Sequence, residues 1–280
     1  MLIKGPGGVN YTATAGKTTA ALKKANQQLQ KILQKLSTGQ RINTAADDAA
    51  GLAVSEQMRT QVRGFKAAQQ NVSASESALN IADGGFKQAA DIMQRQRELA
   101  VAARNDTLTD DQRVILDTEY QALNKELDRL AAGTQYNGQP LANGTGLATG
   151  NAQVQAGPNA GDTMNMPRVT LSTAQLGTAG TSIATSAGAQ AAMSAIDTGL
   201  TRLTNQWSQV GASVNRLGSA MNNLGVAEIN TQAAESVLRD QEMAQGLAEL
   251  TRQRLLSEGA MKAFSRFNEM SQNHIMGLLQ

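Results

Sequence analysis

The strongest constraint on the fold is a run of ten apolar residues in the C-terminal half, alternately three and four positions apart throughout. On an α-helix this spacing places all ten side chains along one narrow stripe. A stripe of this length predicts a helix that packs lengthwise against a second helix, as in a coiled coil. The ten residues are Met193, Ile196, Leu200, Leu203, Trp207, Val210, Val214, Leu217, Met221 and Leu224.

A matching stripe in the N-terminal half supplies a second helix. Six large apolar residues recur there at intervals of seven, and small residues follow four of them three positions later. The pattern predicts one helix over 45–104, about 90 Å long, that packs against a partner helix. The large residues are Met58, Phe65, Val72, Leu79, Phe86 and Met93, and the small ones are Ala68, Ser75, Ala82 and Ala89.

A third stripe lies nearer the N-terminus and consists of Leu22, Leu29, Ile32 and Leu36. Its helix is expected to end at Thr38-Gly39, because glycine readily adopts the left-handed conformation that terminates helices. We interpret all three stripes as self-assembly seams, which pack against each other and then against copies of the chain.

The segment after Gly39 is predicted to be a joint between two helices, formed by Arg41, Asn43, Thr44, Asp47 and Asp48. Thr44 is the expected helix cap, with Asp47 as the acidic partner of a capping box. Both aspartates then place negative charge at the positive end of the helix dipole. A paired-carboxylate catalytic site is disfavoured, because adjacent helical residues point about 100° apart.

The middle of the chain has a different composition. A further helix carries Leu116, Tyr120, Leu123, Leu127 and Leu130, and residues 133–190 are then rich in Gly, Ala, Thr and Asn. The alternating segments 152–157 and 162–171 predict a β-hairpin, with Pro-Asn-Ala-Gly as its turn. A less regular amphipathic helix follows the ten-residue stripe, with Met243, Leu247, Leu250, Met261, Phe264 and Leu278 on its apolar face.

Together these elements predict a mainly α fold. The expected architecture is an elongated antiparallel coiled-coil hairpin rod with a small β-hairpin tip, with both termini helical and at the same end.

The composition argues against an enzyme. The chain has no cysteine and a single histidine, His274, so thiolate chemistry is excluded and a multi-histidine metal site or a catalytic triad is disfavoured. We therefore expect no cofactor and no metal. A net charge of +2 and the absence of a long apolar run predict neither a nucleic-acid partner nor a membrane span. The first residues also lack the apolar core of a cleaved signal peptide.

Several segments resemble bacterial flagellin. The stretch LSTGQRINTAADDAAGLAVSEQMRTQVRG at 36–64 is similar to the family's N-terminal hallmark, and 71–101, 123–141, 154–166 and 196–224 continue the similarity in order. The resemblance implies a subunit of the flagellar filament that acts in motility. It assigns residues 1–40 and 236–280 to an inner coiled-coil tube and residues 41–132 and 190–235 to an outer helical layer. Residues 133–189 form a short tip.

The resemblance also implies partners and a location. The subunit would be exported through the flagellar type III channel without a cleaved signal peptide and would act outside the cell. Its partners would be copies of itself, the flagellar cap and junction proteins, an export chaperone and a host innate immune receptor. The positions that match the receptor-binding face are Arg95, Leu99 and Glu119.

Two alternative functions remain open at this point. A hook–filament junction protein shares similar terminal helices, and a cytosolic coiled-coil scaffold would carry similar apolar stripes.

Overall fold

The computed structural model of the protein describes residues 11–145, 147 and 152–278. The prediction of a mainly α fold is confirmed, since helices dominate the described residues and the strands are short. Parts of the predicted segments 1–40, 133–189 and 236–280 lie outside the described residues. The helices are α1 (Tyr11–Thr38), α2 (Ala49–Ala103), α3 (Asp110–Gly133), α4 (Thr173–Leu176), α5 (Ser186–Arg239) and α6 (Met243–Leu278), and the strands are β1 (Gln135–Tyr136), β2 (Gln139–Pro140), β3 (Gln153–Gln155) and β4 (Thr163–Asn165).

The chain divides into two compact units. Unit 1 comprises Met1–Thr60 and Thr231–Gln280, and unit 2 comprises Gln61–Asn230. These units follow packing within one chain, whereas the inner, outer and tip segments expected from the sequence refer to layers of an assembly. That three-part division therefore stays a prediction.

In unit 2, α2 and α5 pack antiparallel, as their stripes predict. The Nε of Arg97 lies 2.7 Å from Oδ1 of Asp197, and the rings of Phe86 and Trp207 stack 6.3 Å apart. Farther along, Nε2 of Gln69 donates to Glu228 at 2.8 Å. From one contact to the next, the residue number falls on α2 and rises on α5, so the two helices run in opposite directions.

The stripe residues form the core of unit 2. On α5, every second member of the stripe is fully or nearly fully buried, and the members between them pack against the same core. On α2 the small residues are buried beside the large ones, which lets the helices approach closely. The buried members are Ile196, Leu203, Val210, Leu217 and Leu224 on α5, and Val72, Leu79, Phe86 and Met93 with Ala68, Ala82 and Ala89 on α2.

Helix α3 is held by a cap at its start and by a buried hydrogen bond to α2 near its middle. Thr109 caps α3 in a reciprocal capping box with Gln112, so two otherwise unpaired N–H groups are satisfied. Farther along, the buried Nε2 of Gln96 on α2 donates to Oδ1 of Asn124 on α3 at 3.0 Å. This buried amide pair fixes the register of the two helices, because any shift would leave polar groups unpaired.

The predicted hairpin in the middle of the chain is confirmed, but its second strand is only Thr163–Asn165 and does not extend to residue 171. Strands β3 and β4 pair antiparallel, with Val154 opposite Met164. A second hairpin, β1–β2, is absent from the sequence prediction. Its turn is Asn137-Gly138, and both residues have positive φ, 51° and 74°. Asn-Gly is a strong signal for such a turn, but two-residue strands are too short to show alternation.

Two glycines of α5, one buried and one exposed, offer a test of close packing in unit 2. A Cβ added at Gly199 would lie 2.6 Å from Cε of Met93 and 3.1 Å from the carbonyl oxygen of Leu176, whereas Gly211 on the same helix has no neighbour within 4 Å. We expect Gly199→Ala to destabilise the protein by about 1–3 kcal/mol through overpacking. Gly211→Ala should instead stabilise it by about 1 kcal/mol, because alanine favours helix. Urea unfolding followed by circular dichroism measures both, and equal effects would contradict the packing described.

Candidate functional site

The terminal helices α1 and α6 of unit 1 pack antiparallel along a surprisingly polar contact. Near one end, a Cβ on Gly246 would lie 2.6 Å from Cδ2 of Leu36. Farther along, Nε2 of Gln253 donates to Oε1 of Gln28 at 3.0 Å, and Oγ of Ser257 donates to Oδ1 of Asn26 at 3.2 Å. Gln253 and Ser257 are buried. Burial of polar side chains contributes little hydrophobic stabilisation, so this helix pair has a weak interior.

The contact with α6 covers the predicted seam of α1 only in part. Leu22, Leu29, Ile32 and Leu36 are half-buried in the single chain. They keep apolar surface that a further partner could cover.

Larger apolar side chains of α6 point away from α1. Leu255 is 64% exposed, and the adjacent Leu256 is 53% exposed. Contiguous exposed apolar surface of this kind marks an interaction site. Among the described side chains of α6, the exposed large apolar residues are Met243, Leu247, Leu255, Leu256, Met261, Met270 and Met276.

The predicted apolar face of α6 is therefore wrong in part. Leu250 and Phe264 are half-buried, but Met243, Leu247 and Met261 are exposed. The side chain of Leu278 lies outside the described residues. The physical reason is that Gly246, Gln253 and Ser257 occupy the contact with α1, so the large apolar side chains of α6 face outward.

The joint between the helices of unit 1 is a crossing of two chain segments. Gln40 and Asp240 form an isolated antiparallel bridge. The N–H of Arg41 donates to the carbonyl of Arg239 at 2.6 Å, and its Nη2 donates to the carbonyl of Leu238 at 2.7 Å. Across the crossing, the N–H of Gln241 donates to the carbonyl of Gly39 at 2.8 Å. The joint thus fixes the end of α1 beside the end of α5.

Side chains strengthen this joint. Nδ2 of Asn43 donates to Oγ1 of Thr38 at 2.9 Å. Nη1 of the buried Arg239 lies 2.7 Å from Oε1 of Glu56, which ties α5 to α2 within unit 1. Since Thr38 is the last residue of α1 and Gly39 has φ 69°, the predicted helix end is confirmed.

The predicted cap of the next helix is wrong. Helix α2 begins at Ala49 rather than residue 45, and its cap is Asp48, whose Oδ1 accepts the N–H of Gly51 at 2.9 Å. Thr44 lies in the preceding turn, where its N–H and hydroxyl both donate to Oδ2 of Asp47 at 3.1 Å. The hydrogen bonds across the joint hold 41–44 outside the helix, so the next suitable residue caps it.

Asp47 in the joint and Glu56, which pairs with Arg239, both have lowered pKa values. The hydrogen bond from Arg239 is the main cause that holds the pKa of Glu56 below its ordinary 4.5. Burial acts to raise the pKa of Asp47, but hydrogen bonds from the N–H groups of Thr44 and Asn43 outweigh it. Both carboxylates are therefore stabilised in the ionised form by the folded joint.

A pH dependence follows from these shifts. A carboxyl group with a lowered folded pKa stabilises the fold above its ordinary pKa, and this contribution is lost as the pH falls through the lowered value. We expect hydrogen exchange at the Arg41 and Gln241 amides, corrected for intrinsic rates, to accelerate below pH 4.5. Glu56→Gln should flatten part of this response. Unchanged pH profiles in the variant would exclude Glu56 as a contributor.

The stripe residues of unit 2 are not available as a self-assembly surface. Members such as Leu203, Val210 and Val72 are buried in the core of the single chain. The expectation that these residues contact copies of the chain is therefore wrong for the buried members, because α2 and α5 already satisfy each other. Phe65, Met193, Leu200, Trp207, Val214 and Met221 pack against the same core, and Met58 in unit 1 is half-buried.

The structure brings together two of the three predicted immune-receptor positions. Nε and Nη2 of Arg95 on α2 donate to Oε1 of Glu119 on α3 at 3.0 and 2.9 Å, on an exposed surface. Leu99 is only 4% exposed and belongs to the core of unit 2. Because its side chain is buried, Leu99 cannot form part of an exposed face in this conformation.

Leu255 and Leu256 are outward apolar residues of α6 that sequence periodicity misses. One signal was available, since Leu255 and Leu256 are adjacent and adjacent helical side chains point about 100° apart. Two such leucines cannot both face one partner helix. Within the described part of the chain, no cluster of His, Cys, Asp and Glu is suited to a metal ion, and none of the helices has the length and apolar content needed to cross a bilayer.

Comparison with known proteins gives consistent matches over most of the chain. Residues 9–146 match the family described as the bacterial flagellin N-terminal helical region, and residues 193–279 match the bacterial flagellin C-terminal helical region. A flagellin of Halalkalibacterium halodurans is 38% identical over 247 residues, which cover 88% of this chain and 90% of that protein.

One further relative and one solved structure also match. A flagellar filament 31.3 kDa core protein of Treponema maltophilum is 34% identical over an alignment of 285 residues, gaps included. The alignment covers 97% of this chain and 99% of that protein. The crystal structure of Bacillus cereus flagellin is 29% identical, with a TM-score of 0.49 over 55% of this chain and 88% of that one.

Proposed function

The chain belongs to the bacterial flagellin family, and we infer that it polymerises chiefly through the outward apolar faces of its terminal helices. As a flagellin it is a structural subunit of the external flagellar filament. The observation that carries the inference is the exposed apolar surface of α6, with Leu255 and Leu256 at its centre. Neither a junction protein nor a cytosolic scaffold has an observation in its favour.

The driving force for polymerisation is burial of this surface against neighbouring subunits. Burial of apolar area contributes about 25 cal/mol per Å², and no nucleotide or cofactor is required. The polar contact between α1 and α6 adds little stability of its own, as Gln253 and Ser257 illustrate. The terminal helices therefore gain most of their order when they dock onto other copies.

The segments keep the roles assigned from the resemblance. Residues 1–40 and 236–280 form the inner core of the filament, and residues 41–132 and 190–235 form the outer layer. The short segment 133–189 is the tip. Contacts between subunits are head-to-tail and do not close, which generates a helical polymer.

The same surfaces account for the proposed partners. An export chaperone would cover the apolar face of α6 before export through the type III channel. Cap and junction proteins would contact the subunits at the two ends of the polymer. A host immune receptor would read the exposed surface around Arg95 and Glu119, without direct contact to Leu99.

Substitution of the two adjacent leucines tests the proposal. Leu255→Ser/Leu256→Ser removes two exposed apolar side chains, each worth about 1.5–3 kcal/mol when fully buried. We expect the critical concentration for filament growth from seeds to rise on the order of a hundredfold. Light scattering and electron microscopy measure the growth.

A matched control distinguishes lost apolar surface from a general effect of serine on α6. Asn268→Ser/Gln272→Ser changes two exposed polar residues of the same helix and should polymerise nearly normally. Both variants should keep the melting curve of unit 2. Normal growth of the leucine variant would refute the proposed role of α6.

A further inference from the structure

The methionines that the structure describes differ widely in exposure, from fully buried to largely open. Met93 and Met166 are buried in unit 2. On α6, by contrast, Met243, Met261, Met270 and Met276 are 50%, 50%, 61% and 63% exposed. Four of the eleven methionines thus lie open on one terminal helix of the free subunit.

Three of these methionines share one side of α6. Met243, Met261 and Met276 are separated by 18 and 15 residues, which are close to whole numbers of helical turns. Leu247 lies on the same side. This side is next to the face that carries Gln253 towards α1, so it remains free for another subunit.

We propose that this methionine group is an oxidation site that controls whether a subunit can polymerise. The inference rests on the proposed function, because it requires α6 to pack against copies of the chain. The oxidant would be a two-electron peroxide such as hydrogen peroxide. The thioether sulfur of each methionine attacks one peroxide oxygen, a sulfur–oxygen bond forms, and the oxygen–oxygen bond breaks. The products are methionine sulfoxide and water.

The effect on assembly follows from the change in polarity. A thioether is apolar and fills irregular gaps well, whereas a sulfoxide is polar and needs a hydrogen-bond donor when it is buried. Docking of an oxidised α6 would bury several such groups without donors, which opposes assembly. In the filament the same sulfurs are covered, so polymerised subunits are protected and free subunits are sensitive.

The test treats free full-length subunits and finished filaments with the same dose of hydrogen peroxide. After its removal, seeded growth is followed by light scattering, and peptide mass spectrometry gives the oxidised fraction at each methionine. We expect the α6 methionines to oxidise in free subunits at least about tenfold faster than in filaments. The critical concentration of oxidised subunits should rise on the order of tenfold or more. Met93 should remain unmodified in both.

A leucine variant provides the matched control. Met243→Leu/Met261→Leu/Met270→Leu/Met276→Leu keeps similar volume and should grow equally well before and after peroxide. Met193→Leu/Met221→Leu, with changes in unit 2, should remain as peroxide-sensitive as the unsubstituted chain.

Three results would overturn the proposal: normal growth of oxidised subunits, equal oxidation in subunits and filaments, or loss of growth in the peroxide-treated leucine variant. If peroxide is without effect but Leu255→Ser/Leu256→Ser still blocks growth, only the oxidation proposal fails. If the serine variant grows normally as well, the proposed role of α6 fails with it.

Discussion

A chain that lacks residues 1–38 is expected to stay monomeric at concentrations at which the full chain forms filaments. The deletion removes all of α1, and α6 then loses the helix against which Gln253 and Ser257 pack. Without that pairing, the outward apolar face of α6 is no longer held in a defined position for docking. Because the loss affects every subunit contact made by the terminal helices, we expect complete loss of polymer rather than a shift in critical concentration.

Sedimentation and electron microscopy after seeding measure this outcome. The internal control is the fluorescence of Trp207, which stacks on Phe86 in unit 2 and should melt as in the full chain. Unit 2 keeps its own buried core in the truncated chain. Filaments of normal length from the truncated chain, with Trp207 melting unchanged, would rule out an essential role for α1.

The second large effect concerns the core of unit 2. Leu203→Asp places a carboxylate at a fully buried position of α5, within the apolar core of unit 2. We expect a loss of more than about 3 kcal/mol, from the cavity and the buried charge together. The variant should unfold at much lower urea concentration and should form no filaments.

Asn205→Asp is the matched control for this substitution. It introduces the same carboxylate two positions away on an exposed part of α5, so its unfolding midpoint should change little. Urea titrations followed by circular dichroism and by Trp207 fluorescence compare the two. Similar midpoints for both variants would mean that Leu203 is not in the core.

The sequence predicts elements well where both partners of a contact lie in the same chain. The α5 stripe, with Leu203 and Leu217, finds its partner in the α2 stripe with Phe86. Each stripe is then continuous, because a single helix must be matched along its length. Periodicity therefore predicts these two helices and their antiparallel packing.

Periodicity is less informative for α6, since its large apolar residues lie on more than one side of the helix. Leu255 and Leu256 face different directions, and the side towards α1 carries Gln253. A helix covered on several sides by other subunits has no single stripe. The information needed to place its face lies in the assembly and not in the chain alone.

The cap of α2 cannot be chosen from local sequence, for a related reason. Thr44 and Asp48 are both good capping residues, and local sequence does not distinguish them. The choice is made by the bridge between Gln40 and Asp240, which holds the chain extended just before the helix. Contacts between residues this far apart in sequence are invisible to a local reading.

The same crossing of chain segments has a consequence for the timing of folding. Arg41 and Leu238 are 197 positions apart, so their hydrogen bond closes a loop that contains most of the polypeptide. Contacts of such high sequence separation form late, after the large entropic cost of loop closure has been met. A chain that lacks either of the two segments therefore cannot form the joint of unit 1, even where the core of unit 2 is complete.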